Sequence, residues 1–183
     1  LRPENSLKPV PGDGYGIFNS RNNKKVAVLN LMANVFMKKS EDVFETAKQF
    51  IKKIKLKDNA DFIVIDVHGE TTSEKMAMAY LFDGKATALI GTHTHVPTSD
   101  NRIMEKGTAY QTDIGMCGDY NSVIGMNRDN SLNKFLKESS IKKHFPALGE
   151  ATISGVLVTA DEKTGWALEI QQIILGGALQ ERF

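Results

Sequence analysis

Cysteine is nearly absent. Cys117 is the single one in 183 residues, so no disulfide can close within the chain and no thiolate zinc cluster can assemble. That suits a reducing compartment, and a cytoplasmic location is the expectation. There is no excess of one charge: 23 basic and 22 acidic side chains give a net charge of +1. Such a balance sets up no field to gather an anionic membrane surface or a nucleic-acid duplex, so neither is expected as a partner. Long hydrophobic runs are missing too. The longest stretch without Asp, Glu, Lys or Arg, Ala86 to Ser99, contains Gly, Thr, His and Pro and falls short of the ~20 mainly apolar residues of a membrane-spanning helix. The chain opens Leu1-Arg2-Pro3 without a methionine or a signal-peptide pattern, and it reads as a piece of a longer protein. What is present is ordinary globular material, 41% apolar and 25% charged, in an amount that suits one domain at ~100–200 residues per domain.

Residues 1–16, with Pro3, Pro9, Pro11, Gly12, Gly14 and Gly16, read as an irregular, exposed lead-in. The Gly12-Asp13-Gly14-Tyr15-Gly16 run precedes a strand-like pair rather than a helix, so it reads as a turn and not as a phosphate cradle. Beyond it, Lys25–Leu31 has the apolar density of a buried strand. Ser40-Glu41-Asp42 offers a helix start, followed by Phe44, Ala47, Ile51 and Ile54 at helical spacing. The lysines among them (Lys48, Lys52, Lys53, Lys55, Lys57) read as a solvated face. Asp61–Val67 is a second buried strand. Thr71 and Glu74 form a capping-box pattern before a helix over Ser73–Phe82, with Met76 and Tyr80 on one face. Ala86–Ile90 is a third strand. This strand–helix–strand rhythm predicts an α/β fold with a parallel or mixed sheet. Further on, Arg102–Asp113 reads as a hairpin turning at Glu105-Lys106-Gly107, Gly115–Gly125 as a loop and Asn130–Ser139 as a short helix. Thr152–Thr159 and Trp166–Ile174 read as two strands around Asp161–Gly165.

Three of the four histidines, His68, His93 and His95, fall just past the ends of expected strands, where loops of an open α/β sheet converge over a crevice. Imidazole is a common ligand for transition metals, and a His-x-His pair on a loop can aim both rings at one point. The spacing alone leaves open a metal site or ordinary polar loop histidines. Asp66 and Glu70 flank His68 and suit either metal ligation or structural roles, while the default for Asp113 is a turn. His144 reads as a surface residue near a helix end. Cys117 and Ser122 lie in no nucleophile motif, and no Walker A sequence is present.

Several ordered segments carry a resemblance: Asn30-Leu31-Met32, Val35-Phe36-Met37, His68-Gly69-Glu70-Thr71-Thr72-Ser73-Glu74-Lys75, Gly91-Thr92-His93-Thr94-His95-Val96, Asp100-Asn101-Arg102-Ile103, Thr112-Asp113-Ile114-Gly115-Met116 and Ser154-Gly155-Val156-Leu157-Val158. Together they resemble the C-terminal two-thirds of the YmdB family, bacterial metallophosphoesterases of the calcineurin-like superfamily. The resemblance implies a β-sandwich flanked by helices, with its N-terminal part missing here, and two divalent ions of the iron, manganese or zinc class at the strand ends. It implies His68 and His93 on one ion and His95 on the other, with Glu70 and Asp113 as candidates for the residues behind them. The general acid, an Asp, a bridging acid and the asparagine ligands would all precede Leu1. The implied reaction is hydrolysis of phosphodiesters, 2′,3′-cyclic nucleotides first and 3′,5′-cyclic ones as a second class. Two readings compete with it: a mononuclear structural metal, and a non-enzymatic regulatory or scaffold protein with a vestigial site. By itself the segment is expected to be a weak or inactive enzyme, with an exposed apolar sheet edge favouring a homo-oligomer. Ala33-Asn34 stand where the family usually has Gly-Arg, and Cys117 and Asp119 where it has Thr and Pro.

Overall fold

Alternation of fully buried and half-buried positions along Lys25–Met32 and Phe62–His68 is the signature of strands that bury one face against helices. The computed structural model, which describes residues 1–7, 10–137 and 143–183, bears this out. In chain order the elements are β1 (Tyr15–Asn19), β2 (Lys25–Met32), α1 (Val43–Lys53), β3 (Phe62–His68), α2 (Thr72–Phe82), β4 (Ala88–Thr92), β5 (Arg102–Ile103), β6 (Ala109–Gln111), α3 (Arg128–Leu136), β7 (Ile153–Ala160) and β8 (Ala167–Leu175). The described strands form a six-stranded sheet of order β1-β2-β3-β4-β6-β5 and a separate β7–β8 ribbon. β2, β3, β4 and β6 run parallel, and the edge strands β1 and β5 run antiparallel to their neighbours. The result is a mixed α/β fold with a parallel-rich sheet. No described helix is long and apolar enough to cross a membrane.

The two faces of the sheet are separated by strand alternation. Leu29, Ile63, Ile65, Leu89 and Tyr110 face a core shared with Val43, Ala47 and Phe50 of α1 and Met78, Ala79 and Phe82 of α2. Their immediate neighbours Ala88 and Ala109 point the other way and meet Ala167 of the ribbon, with Ile103, Val158 and Ile170 around them. Small alanines let the ribbon approach the sheet closely.

Local details differ from the sequence reading for identifiable reasons. The first residues are irregular but not loose. Asn5 is buried, and its side chain donates to the carbonyls of Met32 (2.7 Å) and Glu41 (3.0 Å) while accepting from the Met32 N–H (3.0 Å). It supplies the bonds that the end of β2 would otherwise lack. α1 begins one residue after Asp42, not at Ser40, because the Asp42 carboxylate accepts the Glu45 N–H at 2.8 Å. Thr71 does precede α2, but it makes no side-chain cap bond. The reciprocal box fails because Glu74 reaches away from its own helix and accepts the N–H groups of Asn34 (2.8 Å) and Val35 (3.0 Å). Met76 and Tyr80 lie on the solvent side of α2, 37% and 68% exposed. α3 begins at Arg128 rather than Asn130 and ends at Leu136, where Lys137 turns left-handed at φ +57° and caps it; the last two expected residues, Glu138 and Ser139, lie outside the described residues. The 102–113 hairpin and the β7–β8 pair form as expected.

Gly91 shows how tightly the sheet end is built. A methyl group added there would lie 1.7 Å from the carbonyl oxygen of Thr112 and 2.6 Å from its carbon. Backbone cannot yield to that extent without shifting β4 from its neighbour. Gly91→Ala is therefore expected to destabilise the fold by at least about 2 kcal/mol, a fall in Tm of about 4–8 °C for a chain of this size, measured by thermal unfolding.

Candidate metal centre

Parallel register brings three loops to one line. Met32 pairs with His68 and His68 with Thr92 across β2, β3 and β4, so the chain leaves all three strands side by side, at the carboxyl end where open sheets bind ligands. His68 is the last residue of β3, and His93 follows directly after β4.

Behind His68 runs a polar relay that fixes its ring. Asp66, two residues earlier on the same face, accepts from the Asn30 amide at 2.6 Å and from the Thr92 hydroxyl at 2.8 Å. The only proton of that hydroxyl is thereby committed, so its oxygen accepts from His68 Nδ1 at 3.1 Å. Nε2 of His68 is left with a lone pair. It faces Nδ1 of His93 at 3.1 Å, the two rings meeting edge to face at 4.8 Å. On its far side, His93 Nε2 lies 3.0 Å from the Glu70 carboxylate, which holds a proton on that nitrogen. The bare His68 Nε2 and His93 Nδ1 therefore lie at a separation that one shared proton or one bound cation would bridge. Two nitrogens bound to one metal ion at ~2.1 Å with tetrahedral or octahedral angles lie about 3.0–3.4 Å apart. The observed 3.1 Å fits. Burial first, and the neighbouring His93 second, hold the His68 pKa below the ordinary imidazole value, favouring the lone-pair form.

His95 is held separately. Its Nδ1 lies 2.8 Å from the Ile124 carbonyl, which must accept a proton from it, so Nε2 again carries the free lone pair. Both His93 (φ +115°) and His95 (φ +67°) occupy the left-handed half of backbone space, an arrangement that costs energy and needs an outside grip. Asp113 supplies it. Its carboxylate accepts the Thr94 N–H between the two histidines at 2.9 Å and the Gly115 N–H at 2.9 Å, and it pairs with Lys75 Nζ at 3.0 Å. Both charged side chains are wholly buried. Thus His68, His93 and Glu70 meet, and Asp113 acts beneath the loop rather than on the crevice. Among the described residues no three His, Cys, Asp or Glu side chains close into a complete metal cage. His144 stands apart from this network, with Nε2 against Lys134 of α3 at 3.1 Å.

Two partners escaped the sequence reading. Lys75 looks like one more surface lysine, yet Met78, Ala79 and Phe82 follow it at i+3, i+4 and i+7, which places it on the buried face of α2. Thr92 was unremarkable until strand register set it opposite His68. Asn34 turns away into the fold: its side chain donates to Ser40 Oγ and the Glu41 carbonyl and accepts the Val43 N–H.

Comparison with known proteins identifies the family. The YmdB-like protein family matches residues 1–173. A 2′,3′-cyclic-nucleotide 2′-phosphodiesterase of Bacillus subtilis (strain 168) is 39% identical over 175 residues, which cover 96% of this chain and 65% of that protein. The chain thus spans just under two thirds of that curated relative. Among solved structures, a hypothetical protein from Thermus thermophilus superposes with a TM-score of 0.84 at 32% identity, over 97% of this chain and 68% of that one. A novel phosphatase from Mycoplasma pneumoniae gives 0.85 at 34% identity, over 96% and 63%.

Two outcomes follow from the geometry. Lys75→Met strands a buried carboxylate and is expected to cost about 3–5 kcal/mol; in denaturant titrations, Lys75→Met combined with Asp113→Asn should cost less than the sum of the single changes. The ring of His68, followed by NMR in metal-free protein, should titrate below about 6.5. Because its folded pKa is lowered, the unfolded state binds the proton more readily, so His68 contributes stability above the ordinary imidazole range that is lost as pH falls through it.

Proposed function

This chain belongs to the YmdB-like family, and on that premise we propose that the protein is a metal-dependent phosphodiesterase of cyclic nucleotides, acting through a two-metal centre. Substrates are 2′,3′-cyclic nucleotides first and 3′,5′-cyclic ones second. The observation that carries this reading is the pair of ring nitrogens, His68 Nε2 and His93 Nδ1, brought together at 3.1 Å with each ring's other nitrogen engaged by Thr92 or Glu70. The similarity to the Bacillus subtilis phosphodiesterase supports the substrate class.

His68 and His93 would hold one ion and His95 the other, with imidazole donors suited to iron, manganese or zinc. When bound, such a pair supplies Lewis acidity at the phosphoryl oxygens and lowers the pKa of a water to the neutral range. The residues of this chain set the geometry. Asp66 and Thr92 keep the proton of His68 on Nδ1, Glu70 keeps that of His93 on Nε2, and the Ile124 carbonyl keeps that of His95 on Nδ1. Asp113 fixes the turn between the two loop histidines. The remaining ligands, the general acid and the further strands of a sandwich are assigned to the part of the relatives' length that this chain does not span. A reducing cytoplasm suits the free, exposed Cys117, and edge strand β1, with Ile17 and Phe18 exposed, suits a homo-oligomer. A scaffold with a vestigial site would have no use for three imidazoles each held in one tautomer.

The test uses the protein at its natural length. His93→Ala and His95→Ala should each lower manganese-dependent hydrolysis of a 2′,3′-cyclic nucleotide at least about 100-fold, with the far-UV CD spectrum unchanged. Glu70→Gln should weaken metal binding by about 10–100-fold, the usual cost of losing a partner that orients a ligand. Near-normal turnover by either alanine variant at saturating manganese would reject the assignment.

A further inference from the structure

Phe36 is the most exposed aromatic side chain in the described part of the protein, at 86%, and its backbone sits at φ +62°. A bulky residue in that conformation is a genuine outlier. Strain of this kind persists only where the surroundings over-determine it, and it concentrates at ligand clamps and active sites. Phe36 is the third residue of a tight turn in which the Met37 N–H meets the Asn34 carbonyl at 3.4 Å, and the residues before it are held explicitly. The Ala33 N–H donates to the His68 carbonyl at 2.9 Å, and a methyl group at Gly69 would lie 2.4 Å from the Ala33 Cβ. The N–H groups of Asn34 and Val35 both end on the Glu74 carboxylate, which also accepts from the Thr71 hydroxyl at 2.9 Å. The Asn34 side chain ties the same loop to Ser40, Glu41 and Val43. This loop is thus bolted to the segment that bears His68 and Glu70. Its one large aromatic is left in water. Three residues of chain reach at most about 11 Å, so Phe36 lies within that distance of Ala33, whose N–H meets the His68 carbonyl.

We propose that Phe36 is a specificity-determining residue whose ring stacks on the nucleobase of the substrate. The inference rests on the phosphodiesterase reading above and extends it to the part of the substrate that is not cleaved. An aromatic face recognises any base through its π-surface and does so with little sequence preference. Holding the ring outward in advance removes the ordering cost at binding.

Its test separates the two readings. In the protein at its natural length, loaded with manganese, KM and kcat are measured for adenosine 2′,3′-cyclic phosphate and for ribose 2′,3′-cyclic phosphate, which lacks the base. Phe36→Gly should raise KM for the adenosine substrate by roughly 5- to 150-fold, the usual worth of one stacked base, leave its kcat within about twofold, and leave the baseless substrate unaffected. Phe36→Trp should keep wild-type KM, whereas Phe36→Leu should not. Since glycine favours φ +62°, Phe36→Gly should melt no lower than wild type. Adenosine 3′-monophosphate binding is titrated in parallel by calorimetry. If wild type hydrolyses neither substrate, the phosphodiesterase reading fails, and the loss or retention of nucleotide binding in Phe36→Gly still decides the stacking role. Unchanged KM and unchanged binding in Phe36→Gly would overturn the proposal. So would rescue by leucine, equal loss on the baseless substrate, or a lowered Tm, which would show the ring packing on the protein itself.

Discussion

One buried ion pair, Lys75 with Asp113, holds the candidate site in shape. Two charges removed from water cost several kcal/mol each, and their attraction offsets that only when the remaining hydrogen-bonding positions are filled. On the carboxylate they are filled: Asp113 also takes two backbone N–H groups, from Thr94 and Gly115. The pair therefore does more than neutralise itself. It anchors α2 to the strand-end loops, and through the Thr94 amide it fixes two histidines whose backbone conformations would not persist in a free loop.

Above that anchor, polar groups act in series. Asn30 and Thr92 saturate Asp66, Thr92 takes the His68 proton, and Glu70 takes one from His93. Every link decides which nitrogen is left bare. A donor set organised in this way would take a cation with little rearrangement, since the rings are already turned. Each carboxylate is engaged elsewhere: Glu70 with His93, Asp66 with Asn30 and Thr92, and Asp113 with Lys75 and two amides.

Much of the fold was legible in the residues. The apolar runs of β2, β3 and β4 and the turn residues of the two hairpins are local signals, and they name their elements directly. The three histidines were legible for the same reason, each lying next to a strand end. What escaped was non-local. Thr71 and Glu74 make a capping-box pattern, but a pattern cannot say that two unpaired N–H groups about 40 residues earlier will claim the carboxylate. Thr92 and Asp66 become meaningful only once register sets β3 beside β4. Lys75 was visible in principle, because its helical neighbours at i+3, i+4 and i+7 are apolar, yet charge alone suggested solvent. Asn5 sat among prolines and glycines that speak of irregular chain, and irregular chain can still be buried when a side chain imitates a missing strand.

The grip on the His-x-His loop passes through a main-chain amide, not through the side chain of Thr94. Every residue but proline brings the same N–H, so this bond does not depend on the threonine hydroxyl, which is turned to Val96 instead. Proline, which lacks it, is the forbidden letter, and its arrival would undo the site while leaving both histidines in the sequence. The two imidazoles of the motif are thus only as well placed as the amide between them allows.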